Sequence, residues 1–293
     1  MSVHTEEQTK RRTVFDIKNW KKDGPPLVML TAYDFAIAQA VDEAGTDLIL
    51  VGDSGGMVAL GYSTTVPVTM EEMIFMTSAV VRAHTKALVI ADMPYLSYEA
   101  SAQQAIDNAA RLIKIAGADA VKLEGGRKRF ETIRALTDAG IPVMGHVGLT
   151  PQTAQSLGGF KVQGKNEDAA RNIILDADAV QEAGTFSIVL EAIPASLSAV
   201  ITQRLTIPTI GIGAGAGCDG QVLVTHDAIG MFEGFKPKFV KRFAEIRREM
   251  VKALTDYGTE VRGRVFPAQE HTFSIDEDML KLLVSELEEP KIE

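Results

Sequence analysis

Short apolar runs recur along the chain, each bounded by turn-forming or ionisable residues. Leu48-Ile49-Leu50-Val51 passes directly into Gly52-Asp53-Ser54. A continuous apolar run of this length suits a strand covered on both faces, as in a parallel sheet, with its polar groups delivered at the C-terminal end. The layout repeats: Glu43-Ala44-Gly45 precedes that run, Ile115-Ala116-Gly117 precedes Ala120-Val121-Lys122-Leu123-Glu124, Asp138-Ala139-Gly140 precedes Val143-Met144-Gly145-His146, and Glu182-Ala183-Gly184 precedes Ile188-Val189-Leu190-Glu191. Glycine just past a helix end adopts the left-handed conformation that satisfies the last carbonyls, so these glycines predict helix-to-strand joints. Leu88-Val89-Ile90-Ala91 runs into Asp92 without the glycine signal.

Taken in order, the pattern predicts a peripheral arm over 1–26 closed by the Asp23-Gly24-Pro25-Pro26 turn, a first strand over 27–31, and a helix capped by Asp34. Thr69 and Glu72 form a capping-box pattern that opens a helix to about residue 84, and Ser101 with Gln104 opens another. Further strands fall at Val143-Met144-Gly145, Ile188-Val189-Leu190 and Thr209-Ile210-Gly211-Ile212, with a weaker eighth at Gln221-Val222-Leu223-Val224. A helix is expected over 238–257, followed by an acidic amphipathic tail. About eight strands alternating with helices, with polar groups after nearly every strand, predict a (β/α)8 TIM barrel of the α/β class. A doubly wound open sheet is the competing architecture, but it concentrates its site at one switch point. The expected organisation is an arm (1–26), one barrel domain (27–273) and a C-terminal tail (274–293).

Composition narrows the classes of function. The 293 residues, 46% hydrophobic and 24% charged, suffice for one large core. The net charge of -9 argues against nucleic acid or an anionic membrane as partner. A single cysteine, Cys218, excludes an intrachain disulfide and fits a reducing, cytoplasmic setting. No apolar run is long enough to span a bilayer, and Glu6 and Glu7 fit neither a signal peptide nor an acid-poor transit peptide.

Period-two alternation places Lys122 and Glu124 on the inner side of their strand, where buried charges need partners. In a barrel, Asp53, Asp92 and Glu124 converge at the mouth as three hard oxygen donors, a set that suits Mg²⁺. Zinc favours nitrogen, and only His146 and His226 offer it. The plainer reading of each carboxylate is a helix cap or a surface charge. Glu191 ends an apolar strand; such surroundings raise a carboxyl pKa and suit a general base, although a charge at a helix N-terminus is the alternative. His146 is open between ligand binding and a structural role. The run Gly211-x-Gly213-x-Gly215-x-Gly217 does not match a dinucleotide fingerprint and is expected to let backbone approach a ligand. The stretch 147–165 is either a lid or an ordinary surface excursion.

Several of these segments together resemble ketopantoate hydroxymethyltransferase. They are Thr31-Ala32-Tyr33-Asp34, Val51-Gly52-Asp53-Ser54, Ala91-Asp92-Met93-Pro94, Val121-Lys122-Leu123-Glu124-Gly125-Gly126, the run from Gly145-His146 through Thr150-Pro151-Gln152, Gly158-Gly159-Phe160-Lys161-Val162-Gln163-Gly164 and Gly211-Ile212-Gly213-Ala214-Gly215. The resemblance spans about residues 10–273 in order. It implies a Mg²⁺-dependent barrel of the phosphoenolpyruvate/pyruvate superfamily that adds a hydroxymethyl group from 5,10-methylenetetrahydrofolate to 3-methyl-2-oxobutanoate, the first step toward pantothenate. By motif it implies Asp53 and Asp92 as metal ligands that also meet the substrate, with Glu124 close by through water. Ser54, Lys122 and His146 become substrate contacts and Glu191 the catalytic base. It also implies a homo-oligomer, commonly a decamer. A carbon-carbon lyase of the same superfamily and a non-catalytic oxo-acid-binding barrel are the other two readings.

Overall fold

The computed structural model describes residues 10–22, 24–154, 158–234 and 236–288, so the N-terminal Glu6 and Glu7 and Asp23 of the expected turn lie outside the described residues. Eight parallel strands form a closed barrel in sequence order: β1 (Leu27–Thr31), β2 (Leu48–Val51), β3 (Leu88–Asp92), β4 (Ala120–Lys122), β5 (Val143–Gly148), β6 (Ser187–Glu191), β7 (Thr209–Ile212) and β8 (Gly220–Leu223). The seam pairs Leu27 with Gly220 and Leu30 with Leu223. The helices that alternate with or follow the strands are α1 (Val14–Lys18), α2 (Phe35–Glu43), α3 (Gly55–Val58), α4 (Met70–Val81), α5 (Ala102–Lys114), α6 (Phe130–Asp138), α7 (Glu167–Glu182), α8 (Ala195–Arg204), α9 (Thr225–Ala228), α10 (Ile246–Arg262) and α11 (Glu277–Glu288). As expected from its length, the connection between β7 and β8 holds no helix.

Local chemistry explains most of these boundaries. Gly45, Gly117, Gly140 and Gly184 all take positive φ, between 81° and 101°, at the joints where they were expected. Asp34 accepts from the Ile37 N–H as the N-cap of α2. Thr69 and Glu72 complete a reciprocal capping box on α4, and Ser101 accepts from the Gln104 N–H on α5.

Alternation divides the strand side chains between two cores. Leu48, Leu50, Leu88, Ile90, Ala120, Met144, Val189 and Ile210 fill the barrel interior, while Ile49, Val51, Val89, Ala91, Val121, Val143, Ile188 and Leu190 pack toward the helices. Ile17 of α1 is fully buried in the inner cluster, so this part of the 1–26 arm contributes to the core.

The chain forms two compact units, Met1–Ala244 and Glu245–Glu293. The stretch 245–273, read from sequence with the barrel, lies in the second unit. The helix expected over 238–257 begins only at Ile246, because Pro237 and the turn over 238–240 precede it. None of the α10 residues is buried. Within this unit Tyr257, Phe266 and His271 form successive ring contacts at 5.6 and 5.1 Å.

Candidate active site

On β3, β4, β5 and β6 the inner face continues past its apolar residues into Asp92, Lys122, His146 and Glu191, which brings these residues to one end of the barrel. Asp92 and Lys122 are register partners on β3 and β4, and Lys122 Nζ lies 2.8 Å from Asp92 Oδ1. The angles of this ion pair fall short of a hydrogen bond, leaving that buried oxygen without one. Asp92 Oδ2 accepts from the Asp53 backbone N–H at 3.0 Å, which sets the ends of β2 and β3 side by side. Asp53 therefore does not cap α3; its Oδ2 accepts from Gln152 instead.

Lys122 Nζ also lies 3.2 Å from His146 Nδ1. Burial alone would push the ammonium pKa down, but Asp92, Glu124 and Asp53 outweigh it and hold the pKa above the ordinary lysine value. Burial, and then the Lys122 charge, push His146 well below the ordinary imidazole value, so the ring is neutral. An ammonium can only donate, so His146 Nδ1 accepts and Nε2 carries the proton. That Nε2 lies 3.2 Å from Glu191 Oε2, off the hydrogen-bonding direction.

Glu191 differs from the other carboxylates. Its side chain is 14% exposed, against 4% for those of Asp92 and Glu124. Burial raises it to about 7, partly offset by Lys122. Burial, then Asp92, also raises Asp53, and burial pushes Glu124 well above the ordinary value. Four carboxylates thus share a single ammonium in a water-poor site, a charge deficit that a divalent cation would relieve.

Backbone geometry fixes Glu191. Ala192, next to Glu191, takes φ 47°, a conformation rare for a residue with a Cβ. The Glu191 carbonyl accepts from Leu149 and the Ala192 carbonyl from Gln163, which ties the β5–α7 loop to the end of β6. Gly148 permits this approach: a Cβ there would stand 2.3 Å from the Glu191 carbonyl oxygen.

Glu124 Oε2 accepts from the Gln152 backbone N–H at 3.1 Å, and its Oε1 lies 3.7 Å from His146 Nδ1, so Glu124 leans toward β5 rather than completing a triad with Asp53 and Asp92. Among the described residues no three His, Cys, Asp or Glu side chains form a ready-made coordination set. Ser54 is joined to Tyr33 by a hydroxyl-hydroxyl hydrogen bond of 2.9 Å. His226 is buried, with its ring 5.4 Å from that of Tyr33. The late glycines serve packing: a Cβ at Gly215 would stand 2.4 Å from Ala195 Cβ and one at Gly217 2.9 Å from Ala199 Cβ, both on α8. Sequence reasoning gave no role to Gln152, Tyr98 or Tyr33, which bond the site residues from outside the strands.

Comparison with known proteins agrees with this geometry. The sequence model of the family described as ketopantoate hydroxymethyltransferase matches residues 11–269. The 3-methyl-2-oxobutanoate hydroxymethyltransferase of Moorella thermoacetica is 56% identical over 266 residues, covering 91% of this chain and 99% of the relative. That of Heliobacterium modesticaldum is 55% identical over 270 residues, covering 92% and 98%. Among solved structures, phosphoenolpyruvate phosphomutase from Streptomyces platensis subsp. rosaceus superposes with a TM-score of 0.59 at 16% identity, covering 94% of this chain and 96% of that one. A 2,3-dimethylmalate lyase of the PEP mutase/isocitrate lyase superfamily gives 0.57 at 13% identity, covering 94% of each chain. These structures share the fold.

Proposed function

The chain belongs to the ketopantoate hydroxymethyltransferase family, and from that premise we propose how its barrel mouth moves a hydroxymethyl group onto 3-methyl-2-oxobutanoate. The reaction yields ketopantoate and serves pantothenate synthesis. The one-carbon donor in this reading is 5,10-methylenetetrahydrofolate. The observation that carries the mechanism is a division among the carboxylates: Asp53 and Asp92 sit together beside Lys122, while Glu191 stands apart beside neutral His146.

Asp53 and Asp92 would hold Mg²⁺ directly and Glu124 would act through water, which suits a cation that keeps several waters and takes few protein carboxylates. Mg²⁺ held there would supply positive charge next to the oxo-acid oxygens, where negative charge develops. Lys122, paired with Asp92 at 2.8 Å, would donate to a substrate oxygen. Ser54, its hydroxyl oriented by Tyr33, contacts the oxo-acid carboxylate. Glu191 removes the C3 proton; a carboxyl held at about 7 is ionised often enough to accept a proton and basic enough to keep it. The Nε2–H of His146 faces the base and substrate. Water adds to the folate-borne methylene carbon as its two carbon-nitrogen bonds break, each nitrogen keeping one of the water protons. The carbon nucleophile attacks the formaldehyde-level carbon so released, whose oxygen takes the proton held by Glu191 to become the new hydroxyl.

Every residue in this reading lies between Tyr33 and Glu191, in the first compact unit. Exposed Phe75 and Ile115 suit a homo-oligomer, a decamer by family resemblance. Among the described residues no helix is long and apolar enough to cross a membrane. The cytoplasmic setting inferred here rests on the single cysteine.

The test is ketopantoate formation followed by mass spectrometry, with each of 3-methyl-2-oxobutanoate, methylenetetrahydrofolate and Mg²⁺ omitted in turn. Product is expected only when all three are present. Undiminished rates after chelation would remove the metal, and oxo-acid release from a branched malate without folate would turn the reading toward a lyase.

A further inference from the structure

Gln152 lies outside the strands, in the 3-10 turn Pro151–Thr153 after β5, yet it is only 4% exposed. Its carboxamide donates from Nε2 to Asp53 Oδ2 and to the Met93 carbonyl, each at 2.9 Å, and accepts at Oε1 from the Tyr98 hydroxyl at 2.6 Å. Its backbone N–H donates to Glu124 Oε2. One side chain and its backbone thus join the ends of β2, β3 and β4 from a turn beyond β5. The partners set the orientation of the amide. A carboxylate and a carbonyl can only accept, so both face the NH2 group. The Tyr98 hydroxyl already accepts from the Glu124 N–H at 3.2 Å, which directs its own hydrogen to Oε1. A reversed amide would set its oxygen against two acceptors.

We infer that Gln152 is a positioning residue for the divalent cation. Its carboxamide fixes the Asp53 carboxylate, whose backbone N–H already holds Asp92, and its own backbone draws Glu124 toward β5, leaving the cation two direct carboxylates and room for water and substrate. Tyr98 locks the carboxamide from its other end. This inference rests on the Mg²⁺ reading of the Asp53 and Asp92 pair.

The test uses Gln152→Met, which keeps the length and bulk of the side chain without its donors or acceptor, and Tyr98→Phe, which leaves Gln152 in place but unlocked. Mn²⁺ binding to the metal-stripped full-length protein, without substrate, is followed by the paramagnetic resonance of free Mn²⁺. Gln152→Met should bind about tenfold more weakly, the size expected when a hydrogen bond to a charged group is lost. Tyr98→Phe should bind more weakly by a smaller factor. In turnover both variants should need more Mg²⁺ for half-maximal rate while largely keeping kcat at saturating Mg²⁺, a split that a general loss of structure does not produce. Circular dichroism checks the fold, and if Gln152→Met does not fold, Tyr98→Phe carries the comparison. Wild-type Mn²⁺ affinity in the folded variants overturns the positioning role. A wild type that binds no Mn²⁺ overturns the metal reading itself, which separates the two failures.

Discussion

His146 Nε2 stands 3.2 Å from Glu191 Oε2, joining the ends of β5 and β6 across the barrel mouth. Because Lys122 occupies the other ring nitrogen, the proton of the neutral imidazole faces the carboxylate. His146 therefore presents that proton beside Glu191, off the hydrogen-bonding direction, and does not compete with it for the substrate proton.

Glu191→Gln keeps the size of the side chain and one acceptor oxygen, but it cannot take a proton. Turnover should fall about 10²–10⁴-fold, while affinity for 3-methyl-2-oxobutanoate changes little. Loss of C3 proton exchange with deuterated solvent, observed by NMR with Mg²⁺ and no folate, would isolate the enolisation step. Exchange at the wild-type rate would send the search for the base to Lys122 or His146.

The pH profile follows from the raised Glu191 value. The base must be ionised, so kcat/KM should decline as pH falls through about 7. Folding raises this pKa, so the charged form costs stability, fully so above about 7 and progressively less as protonation proceeds toward the unfolded carboxyl value. Glu191→Gln should accordingly melt higher than wild type at pH 8, and the advantage should shrink on acidification. A melting difference independent of pH would contradict the shift.

Lys122→Met leaves Asp92 buried without its cation. Loss of one partner from a buried ion pair costs about 3–5 kcal/mol. Denaturant titration should show a loss of this order, and adding Asp92→Asn should recover much of it. Additive losses in the double variant would mean that the 2.8 Å pair contributes no coupling.

Ile17→Ala tests whether α1 belongs to the barrel. Truncation of a fully buried isoleucine costs about 2–5 kcal/mol, and the loss should appear in the unfolding of the barrel with no change in KM for either substrate. A surface-like cost near zero would return α1 to the role of a loose arm.

Much of the fold was legible because its signals are local. Each stop glycine is read from its position after an amphipathic segment, and each cap from residues three apart, so the joints at Gly45, Gly117, Gly140 and Gly184 and the box at Thr69 and Glu72 could be found without tertiary information. Alternation likewise turned Lys122 inward. The less legible features depend on distance in sequence. Gln152 meets Asp53 across 99 residues from a turn with no periodicity of its own, so nothing in its neighbourhood marks it as buried. The glycines after β7 look like a ligand loop in sequence; only the position of Ala195 and Ala199 shows that they admit a helix. Glu124 follows the strand rule for direction, but its final lean depends on the Gln152 backbone.

The seam between β1 and β8 carries a consequence for biosynthesis. Leu27 pairs with Gly220, so one of the first strands to leave the ribosome waits for the last before its free edge is closed. Asp53 through Glu191 all emerge during that interval, and the nascent chain holds its complete set of reactive carboxylates before it has a sealed container for them. An unpaired edge beside an open apolar interior is the usual starting point for strand addition by another chain. The edge of β1 thus stays open between the appearance of Thr31 and that of Leu223, and a stop codon just before Gly220 would leave it open for good, besides removing all that follows.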